Sequence, residues 1–263
     1  MTIDWNNVEA DLVPIKNYDD LCKRLQRSFS YPFIGEAFDF SIQALLDYTQ
    51  RLLGGDTRDR YKEYEIKITQ ALIKLVRAGC ESVLDLIRQT SSRERLEKFI
   101  DQVDIPAGDI IRVLKYLVYW FIPGEKYLSG LVYSGSSLSE SIKALAEYGI
   151  RTNLQLLQQG ITSEERKSLS NKTGLSFNEI TQLVHLADFS RMPWASKATI
   201  SNIIEAGYPS IAKLAMADPE QLYKDFFRYG NSIGKNLKLG NEIENSHRIA
   251  KIIPVLLKND DPL

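Results

Sequence analysis

The segment Tyr148-Gly149-Ile150-Arg151-Thr152-Asn153-Leu154-Gln155-Leu156 decides the fold. Glycine enters the left-handed backbone region without a Cβ clash, so Gly149 marks the end of one helix. Ile150 can then fold back onto the helix just left, and the Thr152 hydroxyl can cap the next one. Leu156 closes that second helix's first turn. These nine residues predict a tight helix–hairpin–helix. The same order recurs in Gly79-Cys80-Glu81-Ser82 with Leu86, and in Gly207-Tyr208-Pro209-Ser210 with Leu214.

The first two copies agree beyond the turn, at a constant offset of 70 residues. Leu75, Gly79, Leu84, Leu86, Gln89, Glu94, Ile110 and Pro123 meet Leu145, Gly149, Leu154, Leu156, Gln159, Glu164, Ile180 and Pro193. Ile105 and Ile122 face Leu175 and Met192. The matches fall on caps, apolar positions and a hairpin proline, which favours an internal duplication over chance reuse of Gly and Ser/Thr as punctuation.

Outside the hairpins the apolar spacing is helical almost throughout, as in Ile42-Leu45-Leu46 and Ala71-Leu72-Leu75. No sustained period-two alternation suggests a strand. Ser91 to Glu94, Thr162 to Glu165 and Ser176 to Glu179 each fit a capping box, and Asp218-Pro219 fits an N-cap followed by proline. The expected fold is all-α, with about ten to twelve helices from ordinary helix and loop lengths. The expected divisions are an N-terminal helical segment over 1–70, a degenerate helix-hairpin-helix module over 71–139, a second module over 140–258, and a tail over 259–263. The Gly/Ser-rich stretch Ser134-Gly135-Ser136-Ser137 reads as a flexible connector, with Ser137 or Ser139 capping the next helix.

The 263 residues carry 33 Lys and Arg against 34 Asp and Glu, so no overall charge excess points to a polyanion. Two cysteines and two histidines leave little for a disulfide scaffold or a Cys-His metal cluster. The most apolar run, Ile110 to Pro123, is interrupted by Arg112 and Lys115 and is shorter than the roughly 20 residues of a membrane span. It reads as a buried helix. Met1 to Trp5 shows no signal-peptide pattern, and the expected location is the cytoplasm.

From Leu145 to about Pro254 the chain resembles the tandem helix-hairpin-helix repeats of a bacterial family whose domain is of unknown function. The resemblance rests on Gly149-Ile150-Arg151-Thr152, on Leu169-Ser170-Asn171-Lys172-Thr173-Gly174, on Leu186-Ala187-Asp188 leading to Arg191-Met192-Pro193, and on Gly207 with Asp218-Pro219-Glu220. In the wider helix-hairpin-helix class, a Pro-Gly-x-Gly-like turn and the following helix start grip a nucleic-acid phosphate. The corresponding turns here are Pro123-Gly124-Glu125-Lys126 and Pro193-Trp194-Ala195-Ser196-Lys197. The second lacks both glycines, and the first sets Glu125 beside the would-be phosphate.

Charge is uneven toward the C-terminus, where residues 191–258 hold 10 Lys and Arg against 6 Asp and Glu. The candidate nucleic-acid contacts are Lys126, Arg191, Lys197, Arg228, Lys235 and Lys238, the last three near Phe227 and Tyr229. Gly79, Ser82, Pro123, Gly149, Thr152, Pro193, Gly207 and Ser210 are assigned to hairpin architecture. For catalysis the sequence offers only His185 and Asp188, three apart on one helix, with no nucleophile placed beside them. His247 reads as a surface residue, and Cys22 and Cys80 as small core residues. Tyr116, Tyr119, Trp120 and Phe121 are too many for one helical stripe and require a second surface to pack on. The expected function is a non-enzymatic interaction or scaffold protein that binds a protein partner or itself. No cofactor or metal is expected. The alternative is sequence-independent DNA or RNA binding.

Overall fold

A computed structural model describes residues 3–55, 59–133, 135–193, 195–235, 237 and 243–258, with the side chains of 59 and 60 left undescribed. The fold is all-helical. The chain divides into two compact units, Met1–Gly124 and Glu125–Leu263. That division falls inside the stretch 71–139, which the sequence groups as one module.

The first unit holds α1 (Trp5–Ala10), α2 (Tyr18–Phe29), α3 (Pro32–Phe38), α4 (Ile42–Gly54), α5 (Asp59–Arg77), α6 (Val83–Gln89), α7 (Arg93–Val103) and α8 (Ala107–Tyr116). A π-helical turn over Leu117–Phe121 extends α8. The second unit opens with a 3-10 turn at Leu128–Gly130. It continues through α9 (Leu138–Glu147), α10 (Asn153–Leu157), α11 (Ser163–Thr173), α12 (Phe177–Phe189), α13 (Lys197–Glu205), α14 (Ile211–Met216), α15 (Pro219–Ser232) and α16 (Ile243–Ala250). The described residues thus form sixteen α-helices rather than ten to twelve. The surplus comes from pieces of five to seven residues, such as α6, α10 and α14, whose tight caps end them after one or two turns. Among the described residues no helix is long and apolar enough to cross a membrane.

The three glycine turns share one geometry. Gly79, Gly149 and Gly207 have φ of 77°, 79° and 104°. In each, the glycine N–H and the next N–H donate back to the helix end, as Gly149 to Ala146 O and Ile150 to Leu145 O. This is the six-to-one and five-to-two pattern that satisfies orphan carbonyls. Ser82, Thr152 and Ser210 then accept the backbone N–H three residues on, each capping the following helix.

A short extended segment clasps the first two caps. Ile42 N–H donates to Glu81 O and Val83 N–H to Phe40 O, at 3.1 and 2.8 Å. Leu128 N–H donates to Arg151 O and Asn153 N–H to Lys126 O, both at 2.9 Å. These antiparallel bridges, Ser41 with Ser82 and Tyr127 with Thr152, are too short to count as strands.

The 70-residue offset extends to the helix starts and, for α7 and α11, to their ends. α6 and α10 start at 83 and 153, α7 and α11 span 93–103 and 163–173, and α8 and α12 start at 107 and 177. Asp104 and Gly174, also 70 apart, both end their helices in the left-handed conformation. Thr162 with Glu165 and Ser176 with Glu179 form the expected capping boxes, and Thr152 with Gln155 forms another. The box expected from Ser91 to Glu94 does not form. Ser92 is the cap, and it accepts from Arg95 N.

The aromatic run from Tyr116 to Phe121 packs within the first unit. The Tyr116 and Thr49 hydroxyls hydrogen-bond at 2.8 Å, and Phe121 meets Phe38, Phe40 and Tyr48 edge-on. Trp120 lies against Tyr61 and Tyr64. The π turn changes the angular step between successive side chains, so these rings reach several neighbours rather than one stripe.

Candidate functional site

The two proline turns are internally committed. The Pro123 carbonyl accepts from Ser28 Oγ at 2.9 Å. Glu125 accepts the Thr152 hydroxyl at 3.0 Å, and Lys126 N–H donates to Asn153 Oδ1 at 2.7 Å. Around Pro193, the N–H groups of Arg191, Met192 and Ala195 donate to Asp188, Phe189 and Met192 carbonyls. Ser196 caps α13 by accepting from Thr199 N. Trp194 lies outside the described residues. The amides of Lys126, Arg191, Met192 and Ala195 at these turns therefore already have acceptors.

The candidate cations divide into two groups. Lys126 and Arg191 converge on the C-terminal end of α12. Lys126 Nζ donates to Ser190 O at 2.5 Å, and burial of that ammonium lowers its pKa. The Arg191 side chain is only 2% exposed. Its Nε and Nη2 both reach Asp188 Oδ1 at 2.7 Å, and its Nη1 donates to Pro254 O. Asn153 completes this cluster by donating to Ser190 Oγ. Lys197 is held elsewhere, donating to Val132 O at 3.1 Å with its ammonium 4.7 Å from the Tyr133 ring centre. Arg228 is exposed and pairs with Asp225 at 3.2 Å, and Lys235 is also exposed. Lys238 lies outside the described residues.

Helix spacing also brings together a cleft in the second unit, with a volume of about 430 Å³. One wall is α12, through Asn178, Gln182, His185 and Leu186. Positions 178, 182 and 185 share a helical face because they step by four and three. The opposite wall is α13, through Ser201, Ile204 and Glu205, with Pro209 of the following turn beside it. The segment leading into α9 closes the cleft with Tyr133, Ser136, Ser137 and Leu138 among others. Ser136 and Ser137 therefore do more than connect. Ser137 sits at the N-cap of α9 but makes no side-chain cap bond. Among the described lining residues Glu205 is the single carboxylate, and no Lys or Arg takes part.

The structure gives His185 and Asp188 different tasks. His185 is buried and lines the cleft, whereas Asp188 binds the Arg191 guanidinium. His247, expected at the surface, is buried on α16. Burial first, then the nearby Lys251 charge, lowers its pKa. Burial pushes the Cys22 thiol up to about 11 and the Cys80 thiol to about 12, with Asp85 adding to the second. Such thiols stay protonated and poorly nucleophilic at neutral pH. Among the described residues no group of His, Cys, Asp and Glu is arranged to hold a metal ion.

Sequence reasoning singled out His185 but missed Tyr133, Gln182 and Glu205. The i, i+4, i+7 polar face of α12 was the available signal. The facing wall comes from a separate helix.

Residues 136–244 match a protein family described as a domain of unknown function, DUF4332, which takes in the cleft walls and the Gly149 and Gly207 turns. No curated protein and no solved structure matches the chain.

Proposed function

We propose that this chain is a non-enzymatic, cytoplasmic interaction protein built on tandem helix-hairpin-helix modules, with its binding surface in the second unit and a protein as its partner. The observation that carries this reading is where the hairpin cations go. Lys126, Arg191 and Lys197 give their donors to carbonyl or carboxylate oxygens of their own unit. Binding a phosphate would pull Arg191 from these bonds and leave Asp188 buried without its counter-charge, and it would compete with the bonds that position Lys126 and Lys197. The same unit leaves Met216 83%, Tyr127 70% and Phe227 53% exposed. Exposed aromatic and Met side chains supply contact area typical of protein interfaces.

Sedimentation velocity over a wide concentration range tests self-association, and cross-linking with mass spectrometry locates any contact. The reading expects contacts on the second unit that weaken in Phe227→Glu and persist in Lys197→Glu. Cross-links confined to the first unit, or contacts indifferent to Phe227→Glu, contradict it.

A second reading, nucleic-acid binding, is favoured by exposed Arg228 and Lys235 close in sequence to Phe227. Stacking and phosphate contact from such a segment would be steeply salt-dependent.

A further inference from the structure

The cleft between α12 and α13 combines features that select one ligand charge. Its apolar surface comes from Leu138, Leu186 and Ile204, and its volume of about 430 Å³ is in the range of small-molecule sites. The polar groups that line it include carboxamide and hydroxyl oxygens able to accept N–H bonds, from Asn178, Gln182 and Ser201. Its one carboxylate, Glu205, lies on an exposed residue of the cleft lining, and no lining cation offsets it. An anionic ligand would meet that carboxylate, while the Lys197 ammonium beside the lining Tyr133 already donates to Val132 O. An ammonium group would meet that carboxylate together with carboxamide and hydroxyl oxygens.

Two tyrosines strengthen the preference for a cation. Tyr133 lines the cleft and already carries the Lys197 ammonium 4.7 Å from its ring centre, which shows that this ring accepts a cation. Tyr229 lies near enough to Glu205 and Tyr133 that their charges add to the effect of burial in raising its phenol pKa. The Glu205 charge thus reaches Tyr229, and Tyr133 supplies a ring face of the kind organic ammonium groups favour.

We propose that this cleft binds small primary amines, with the ammonium group paired to Glu205 and an apolar ring body lying against Leu186 and Ile204. Binding is non-covalent, and no bond is made or broken.

The test uses the full chain and three probes with the same ring and different charge: 2-phenylethylamine, 2-phenylethanol and phenylacetate. Saturation-transfer NMR and isothermal titration read their binding. The amine is expected to saturate a single site and to bind at least about tenfold more tightly than the alcohol, a difference one ion pair can supply. Phenylacetate is expected not to bind. Glu205→Gln should bring amine and alcohol to equal affinity while leaving the thermal melt unchanged, because the residue is exposed. Ile204→Trp, checked for folding by circular dichroism, should fill the cleft and abolish binding of both. Absence of saturable amine binding overturns the proposal. So does an amine preference that survives Glu205→Gln, or binding unaffected by Ile204→Trp.

Discussion

Helices α7 and α8 of the first unit and α11 and α12 of the second start at the same spacing, and α7 and α11 also end together, yet their interiors differ. Where the first unit buries Leu96, the second buries Arg166, which donates to the Gly160 carbonyl. Where the first buries Phe121 in an aromatic cluster, the second buries the Arg191 guanidinium against Asp188. Trp120 corresponds to Ser190, which instead binds Asn153 and Lys126. Backbone punctuation sets the path of the chain, and the interior can then be completed with hydrocarbon or with saturated polar bonds. The second choice uses up cations that a sequence reading assigns to a ligand.

Breaking the polar interior should cost most. Arg191→Leu leaves Asp188 buried without its partner and should destabilise the chain by about 3–5 kcal/mol in urea unfolding. The double variant Arg191→Leu/Asp188→Leu should recover most of that loss. If the single variant is neutral, the buried pair does not organise this end of α12.

Position 160 gives the next largest effect. Its counterpart, Thr90, is a buried side chain, but a Cβ on Gly160 would lie 2.7 Å from Val184 Cγ2. Gly160→Ala should therefore cost about 1–3 kcal/mol, and Val184→Ala in the same chain should relieve the clash. The shared caps should behave alike. Ser82→Ala and Thr152→Ala should each lose about 1 kcal/mol, and a large inequality would show that the two hairpins are not equivalent.

A stabilising change would sharpen the comparison from the other side. The buried Thr181 hydroxyl has no hydrogen-bond partner among the described residues, whereas its counterpart Ile111 is hydrocarbon. Thr181→Val should raise stability by about 1 kcal/mol, seen as a higher unfolding midpoint.

The smallest effect is a pH dependence. His247 has its pKa lowered in the folded chain, so the unfolded chain binds its proton more readily. Its contribution is therefore fully present above the unfolded value of about 6.5 and declines as pH falls through the lower folded value. His247→Gln should remove that slope from a plot of stability against pH.

Much of the fold could be read in the sequence because its signals are local. Gly79, Gly149 and Gly207 with Ser82, Thr152 and Ser210 mark helix ends within a few residues, and the structure forms all three turns as expected. The interior was less legible because burial depends on distant segments. Nothing near Arg191 in sequence reveals that Pro254 O will meet its guanidinium. His247 likewise looked solvent-facing among Glu244 and Arg248, yet α16 packs on α14 and buries it. The cleft joins residues from three separated stretches, so only its α12 face had a sequence signature.

The most direct test of the central claim is fluorescence anisotropy of labelled mixed-sequence single- and double-stranded DNA and RNA against the full chain at low salt. If Lys126, Arg191 and Lys197 are held by acceptors of their own unit, no saturable binding should appear, and Lys197→Glu should change nothing. Micromolar binding that falls steeply with added salt, and is lost in Lys197→Glu, would contradict the account and return the hairpins to nucleic-acid recognition.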